Sequence, residues 1–150
     1  MKTKADLAKQ YFEEGYNCAQ SVVLAFIDEI NIGREEALTL ASSFGGGMGR
    51  LREVCGAFSG ACIIAGIKFG YSDPAATDEK SEHYKLIQQM AAEFEKKNGS
   101  IICRVLLGED KNGHTPEKRT DEYYKKRPCA ELVYDAAEIL EKLIYEKENK

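Results

Sequence analysis

Five cysteines stand at positions 18, 55, 62, 103 and 129 of this 150-residue chain. A thiolate can be a nucleophile, a metal ligand or one half of a disulfide, and its surroundings decide which. Four of the five fall at predicted helix starts. Asn17 is a good N-cap and puts Cys18 in a first turn, while Cys55 opens an uncharged helix. Ser100 can cap a short helix over Ile101 to Leu107, with Cys103 at its third position, and Pro128 is a favoured first helical residue with Cys129 directly after it. Helix N-termini carry unpaired N–H groups and the positive end of the macrodipole, which favour an anion. A thiol with a free pKa of about 8.5 can fall to roughly 3.5–7.5 in such a position. The expectation is therefore four activated thiols, Cys18, Cys55, Cys103 and Cys129, close enough in space to form a redox or a metal site.

A plainer reading competes with it. Free cysteine is among the most buried residue types, so all four could simply fill the core. No C-x-x-C pair occurs, so any site has to be assembled from distant segments. Cys62 lies seven residues after Cys55 on a similar helical face and reads as core filler, with a resolving thiol as the residual role. Other chemistry-bearing side chains are few. His83 sits beside Tyr84 on a long helix, facing solvent or hydrogen-bonded, and His114 falls in a polar loop. Arg50 and Arg52 precede Cys55; they either raise the local positive potential or are surface arginines at a helix start. Tyr123 and Tyr124, before the basic run Lys125 to Arg127, could pack the loop near Cys129. No Ser/His/Asp constellation or carboxylate pair stands out.

The elements that must position these thiols read as helices. From Val54 to Ile67 the sequence carries no charge, in a chain that is 31% charged. That run is too short to cross a bilayer and reads as a buried core helix. Gly56, Ala57, Gly60 and Ala61 recur along it at helical spacing, so neighbouring backbones can approach closely. The glycines at 45, 46, 47 and 49, followed by Arg50, lack the Lys-Ser or Lys-Thr of a phosphate loop. They read instead as a connector that takes positive φ or passes close to a site, and could line its mouth. Thr3 and Asp6 suggest a cap for a first helix that Gly15 ends, and Cys18, Val22, Ala25, Phe26 and Ile30 share a face of the second. Ala37, Leu38, Ala41 and Phe44 mark a third. Asp73-Pro74 reads as the start of a long helix with Tyr84, Ile87, Met90, Ala91 and Phe94 inside, which Asn98-Gly99 stops. Gly108 to Arg119 is a surface loop, and Leu132, Val133, Ala136, Leu140, Leu143 and Ile144 form the buried stripe of the last helix. No convincing period-two strand appears. The fold expected is all-α, one domain over residues 1–150, with about five to seven helices bundled around a Gly/Ala-rich central helix.

Composition narrows the partners. A net charge of −4 argues against nucleic acid. The N-terminal lysines precede no apolar run, so no signal peptide is expected, and the setting expected is cytoplasmic without a membrane span. In a reducing compartment five cysteines point to metal binding, catalysis or burial more than to a disulfide framework. The apolar small-residue surface leaves a homodimer open.

The order Cys18, then Cys55-Gly56-Ala57-Phe58-Ser59-Gly60, then Cys103, then Cys129 resembles the C-GCAxxG-C-C family of redox-active proteins. These are chains of similar length, marked by four cysteines and a short Gly/Cys/Ala core. The likeness runs from Cys18 to Cys129 and takes in the approach Gly45 to Arg50, although the core here reads Cys-Gly-Ala where the family's name spells Gly-Cys-Ala. The resemblance implies a redox role for Cys18, Cys55, Cys103 and Cys129 and assigns nothing to Cys62. Thiol pairs would cycle between dithiol and disulfide, as a thiol–disulfide oxidoreductase or electron carrier with a redox partner still to be identified. Alternatively, the four thiolates would hold zinc or an iron–sulfur cluster, with Gly56 and Gly60 as cofactor-contacting positions. A non-catalytic helical binding module with inert buried cysteines is the third reading.

Overall fold

A computed structural model of the chain describes residues 2–108 and 128–149. Among them are seven α-helices: α1 (Lys4–Glu13), α2 (Cys18–Ala25), α3 (Arg34–Ala41), α4 (Gly56–Phe69), α5 (Thr77–Asn98), α6 (Cys103–Leu107) and α7 (Cys129–Glu148). Short 3₁₀ turns cover Ile27–Glu29 and Ser42–Phe44. The described residues contain no strand, but Val54 and Ile102 form an isolated antiparallel bridge. The all-α bundle is as the sequence implies. None of the described helices is long and apolar enough to cross a membrane.

Helix starts are set locally. Thr3 and Asp6 make a reciprocal capping box at α1, and Asn17 and Gln20 make another at α2. Each such cap is worth about 1 kcal/mol. The Asn17 cap fixes where α2 begins, and so fixes Cys18 as its first residue.

α2, α5 and α7 pack against α4, α2 also packs on α1, α3 and α7, and α1 lies along α7. The glycines of α4 let α2 come into backbone contact. A Cβ at Gly60 would stand 2.7 Å from the Ala19 carbonyl oxygen, and one at Gly56 would stand 2.6 Å from the Phe44 carbonyl oxygen and 3.2 Å from the Cys18 Cβ. The two carbonyl distances are closer than side chains tolerate. The space above these glycines is taken by α2 and the preceding turn, which makes them helix-contact positions. Phe12, Phe26, Ile64, Met90, Phe94 and Leu140 fill the remaining interior, with the Phe58 and Phe94 ring centres 6.0 Å apart. Fully burying each such side chain contributes about 1.5–3 kcal/mol.

Several boundaries differ from those read in the sequence. α2 stops at Ala25, so Ile30 lies beyond it, after a 3₁₀ turn. The Asp73 carboxylate accepts the Ala75 N–H at 2.9 Å and its carbonyl accepts the Ala76 N–H at 3.1 Å, forming a turn of its own. α5 therefore starts at Thr77, because the side chain of Asp73 competes for the N–H that a cap would serve. Tyr84 is on the outside of α5 with its hydroxyl 3.0 Å from that of Tyr71, and Leu86 takes the buried position. Ser100 accepts the Ile102 N–H, but Ile102 is the N-cap of α6 and Cys103 its first residue. Pro128 is likewise the cap of α7 rather than its first residue.

Candidate functional site

Four cysteines open, or cap, four different helices: Cys18 begins α2, Cys55 caps α4, Cys103 begins α6 and Cys129 begins α7. The fold brings them into one neighbourhood. The Cys18 thiol is hydrogen-bonded with that of Cys129 and feels the thiols of Cys55 and Cys103, and Cys55 feels those of Cys129 and Cys103. No disulfide joins them; all five cysteines are thiols.

The segment between α3 and α4 builds one wall. Five successive residues hold positive φ: Gly46 at 68°, Gly47 at 71°, Met48 at 69°, Gly49 at 54° and Arg50 at 66°, and Arg52 follows at 62°. A left-handed turn of this length is costly wherever a Cβ is present, about 1–2 kcal/mol per residue. It is held by backbone bonds from Arg52 N–H to the Gly46 carbonyl and from Glu53 N–H to that of Gly47. The turn carries Gly47 against the site, where a Cβ would stand 2.7 Å from the Cβ of Cys103. The connector read from the glycine run is thus a left-handed turn seated on a cysteine.

Beyond it, two hydrogen bonds flank the Val54–Ile102 bridge: Cys55 N–H to the Ile101 carbonyl at 2.7 Å and Cys103 N–H to the Glu53 carbonyl at 2.6 Å. Side chains alternate across extended backbone, so Cys55 and Cys103 share the face opposite Val54 and Ile102. Arg52 turns inward. It is 4% exposed, and its Nη1 donates to the Cys103 sulfur at 3.8 Å. Of the two roles open to this arginine in the sequence, the surface one is excluded.

Activation of all four thiols by helix ends is not what the surroundings produce. Burial pushes the Cys55 thiol from its ordinary 9.0 up to about 12, although the Ala57 and Phe58 N–H groups pull it down from the end of α4. Those groups form no capping hydrogen bond with it. Cys18 is raised well above the ordinary value, first by its hydrogen bond with Cys129 and then by desolvation, even though the residue as a whole is only half-buried. At Cys55 removing water penalises the thiolate more than the helix end favours it. Cys62 is also pushed to about 12, by desolvation alone, and packs against the core as filler.

A zinc or iron–sulfur centre needs its ligand sulfurs to converge on one point. Among the described residues no three His, Cys, Asp or Glu side chains are placed to hold a metal ion. The arrangement is that of a thiol cluster with one pair in contact. His83 is elsewhere: its ring packs edge-on to Tyr71 and its Nδ1 is buried without a hydrogen-bond partner, in a cavity it shares with Phe69 and Gly70. That is the far end of α4, about 20 Å from Cys55 at 1.5 Å per residue. His114, Tyr123, Tyr124 and the basic run Lys125 to Arg127 lie outside the described residues.

The family model described as "Putative redox-active protein (C_GCAxxG_C_C)" matches residues 16–143. The chain belongs to this family. Comparison with curated proteins and with solved structures gives no match. The matched span contains all four helix-start cysteines and the left-handed turn. Sequence reasoning missed the contact of Gly47 with Cys103 and the inward turn of Arg52. Both depend on backbone bonds between segments about fifty residues apart, and no local pattern announces them.

Proposed function

We propose that the chain is a thiol–disulfide redox protein in which Cys18 and Cys129 interconvert between dithiol and disulfide, with Cys55 and Cys103 as members of the same cluster. The observation that carries this reading is the hydrogen bond between the Cys18 and Cys129 thiols. Two thiols in contact need little backbone movement to become a disulfide, and the exchange passes two electrons. A disulfide R–S–S–R is reduced to two R–SH while the Cys18 and Cys129 thiols give up two protons and two electrons and join. In the cytoplasmic setting proposed from the sequence, cellular thiols would return the pair to the dithiol between turnovers.

Thiol counting on anaerobically purified, reduced protein, repeated after equilibration in glutathione redox buffers, tests the reading. The expected result is reversible loss of two thiols, with peptide mapping that joins Cys18 to Cys129 and leaves Cys62 free. Five thiols untouched by the oxidised buffer would overturn it. So would stoichiometric zinc, or iron with sulfide, in the purified protein.

A further inference from the structure

We propose that Cys103, held by Arg52, is the thiol at which an external disulfide enters the cluster, and that it passes the oxidation to Cys18 and Cys129. This rests on the thiol–disulfide reading above. Cys18 and Cys129 are hydrogen-bonded to each other, and Cys55 caps α4. Burial does not single out one of the four, since Cys103 and Cys129 are both 8% exposed. At Cys103 the Arg52 guanidinium donates to the sulfur. A cation beside a thiol favours the thiolate and also makes that sulfur a better leaving group.

The position of Arg52 is built rather than incidental. Its own backbone is left-handed at φ 62°. Its N–H bonds Gly46 and its carbonyl accepts the Arg104 N–H at 3.2 Å, one residue beyond Cys103. Arg104 in turn grips the neighbours of Arg52, bonding the Leu51 carbonyl at 3.1 Å and the Glu53 carboxylate at 2.9 Å. Arg104 and Val105 beside Cys103, and Leu51 beside Arg52, are exposed, so the pair sits just under the surface.

The steps balance as follows. The Cys103 thiolate attacks one sulfur of R–S–S–R, the S–S bond breaks, and RS⁻ leaves. The Cys18 thiol, losing its proton, attacks the Cys103 sulfur of the mixed disulfide and expels the second RS⁻. The Cys129 thiol, losing its proton, then attacks Cys18, and Cys103 departs as the thiolate beside Arg52. The two protons from Cys18 and Cys129 go to the two RS⁻. The external disulfide is reduced, the Cys18–Cys129 pair is oxidised and Cys103 is regenerated.

The experiment is rapid acid quenching of the reduced full-length protein after mixing with glutathione disulfide, followed by peptide mapping. The first glutathione adduct is expected on Cys103, with the Cys18–Cys129 disulfide appearing after it, and Cys129→Ser should arrest the relay as a Cys18–Cys103 disulfide. Arg52→Gln should slow adduct formation about tenfold, the scale expected when a thiolate loses its cationic neighbour, and Arg52→Lys should restore it to within about threefold. Melting temperatures of both variants separate this from lost structure, and the wild-type mapping decides even where R52Q does not fold. A first adduct on Cys18, Cys55 or Cys129 overturns the proposal while leaving the redox reading intact, as does a folded R52Q with the wild-type rate. Absence of any adduct or disulfide overturns both.

Discussion

Cys55 and Cys62 lie on one helix-and-cap segment, seven residues apart, and burial pushes both thiols up to about 12. Their company differs. Around Cys62 the cause is desolvation alone, whereas Cys55 is also pulled down by the N–H groups of Ala57 and Phe58 and pushed up by the thiols of Cys129 and Cys103. The N-terminal end of α4 is thus a place where chains from α2, α6 and α7 deliver sulfur, and its middle is ordinary core. Burial alone does not tell the two cysteines apart. What distinguishes them is whether other reactive groups share the pocket.

The largest effect expected from this comparison is in alkaline stability. A thiol whose folded pKa is raised binds its proton more tightly in the folded state, so its contribution is whole below the unfolded value near 9 and is lost as pH rises toward 12. Each such thiol should cost about 1.4 kcal/mol per pH unit across that window. Urea titrations between pH 8 and 11 should therefore show the wild type losing stability faster than Cys62→Ala, which lacks one thiol of this kind. Equal slopes would mean that the Cys62 thiol is not desolvated. The same variant should still form the Cys18–Cys129 disulfide, which keeps the two regions separate in function.

A smaller effect should separate the two regions by packing. Gly56→Ala places a methyl 2.6 Å from the Phe44 carbonyl, and backbone cannot swing aside as a side chain can. Overpacking of this kind costs about 1–3 kcal/mol, read as a lower urea midpoint, and it should also disturb the thiol pair through the Cys18 Cβ. The smallest effect has the opposite sign. A Cβ at Gly66 meets nothing within 4 Å, so Gly66→Ala should stabilise the fold by up to about 1 kcal/mol through helix propensity. A loss of stability at Gly66 would show that α4 is tightly enclosed along its whole length rather than at its cysteine end.

The helical character of the chain was legible because it is encoded locally. Asn17 and Gln20 cap α2 from within four residues, and Thr3 and Asp6 do the same for α1. The close approach at Gly56 and Gly60 could be read from small residues at helical spacing. Errors arose where a local signal had two uses. Asp73-Pro74 looks like a helix start, yet Asp73 spends its carboxylate on its own turn. Tyr84 fits the apolar stripe of α5 by spacing but finds Tyr71 outside it.

The sequence by itself determined that the chain is helical, that the uncharged run from Val54 is interior over much of its length though Ile67 at its end is exposed, and that four cysteines stand where helices begin, because periodicity and capping act over a single turn. Only the tertiary structure decided whether those thiols meet, which pair is in contact, and that Arg52 points at Cys103. It also decided that burial outweighs the helix end at Cys55, and that the Cys129 thiol leads the rise at Cys18. Desolvation is imposed by atoms from distant segments, and nothing within a few residues of a cysteine records how much water those atoms will remove.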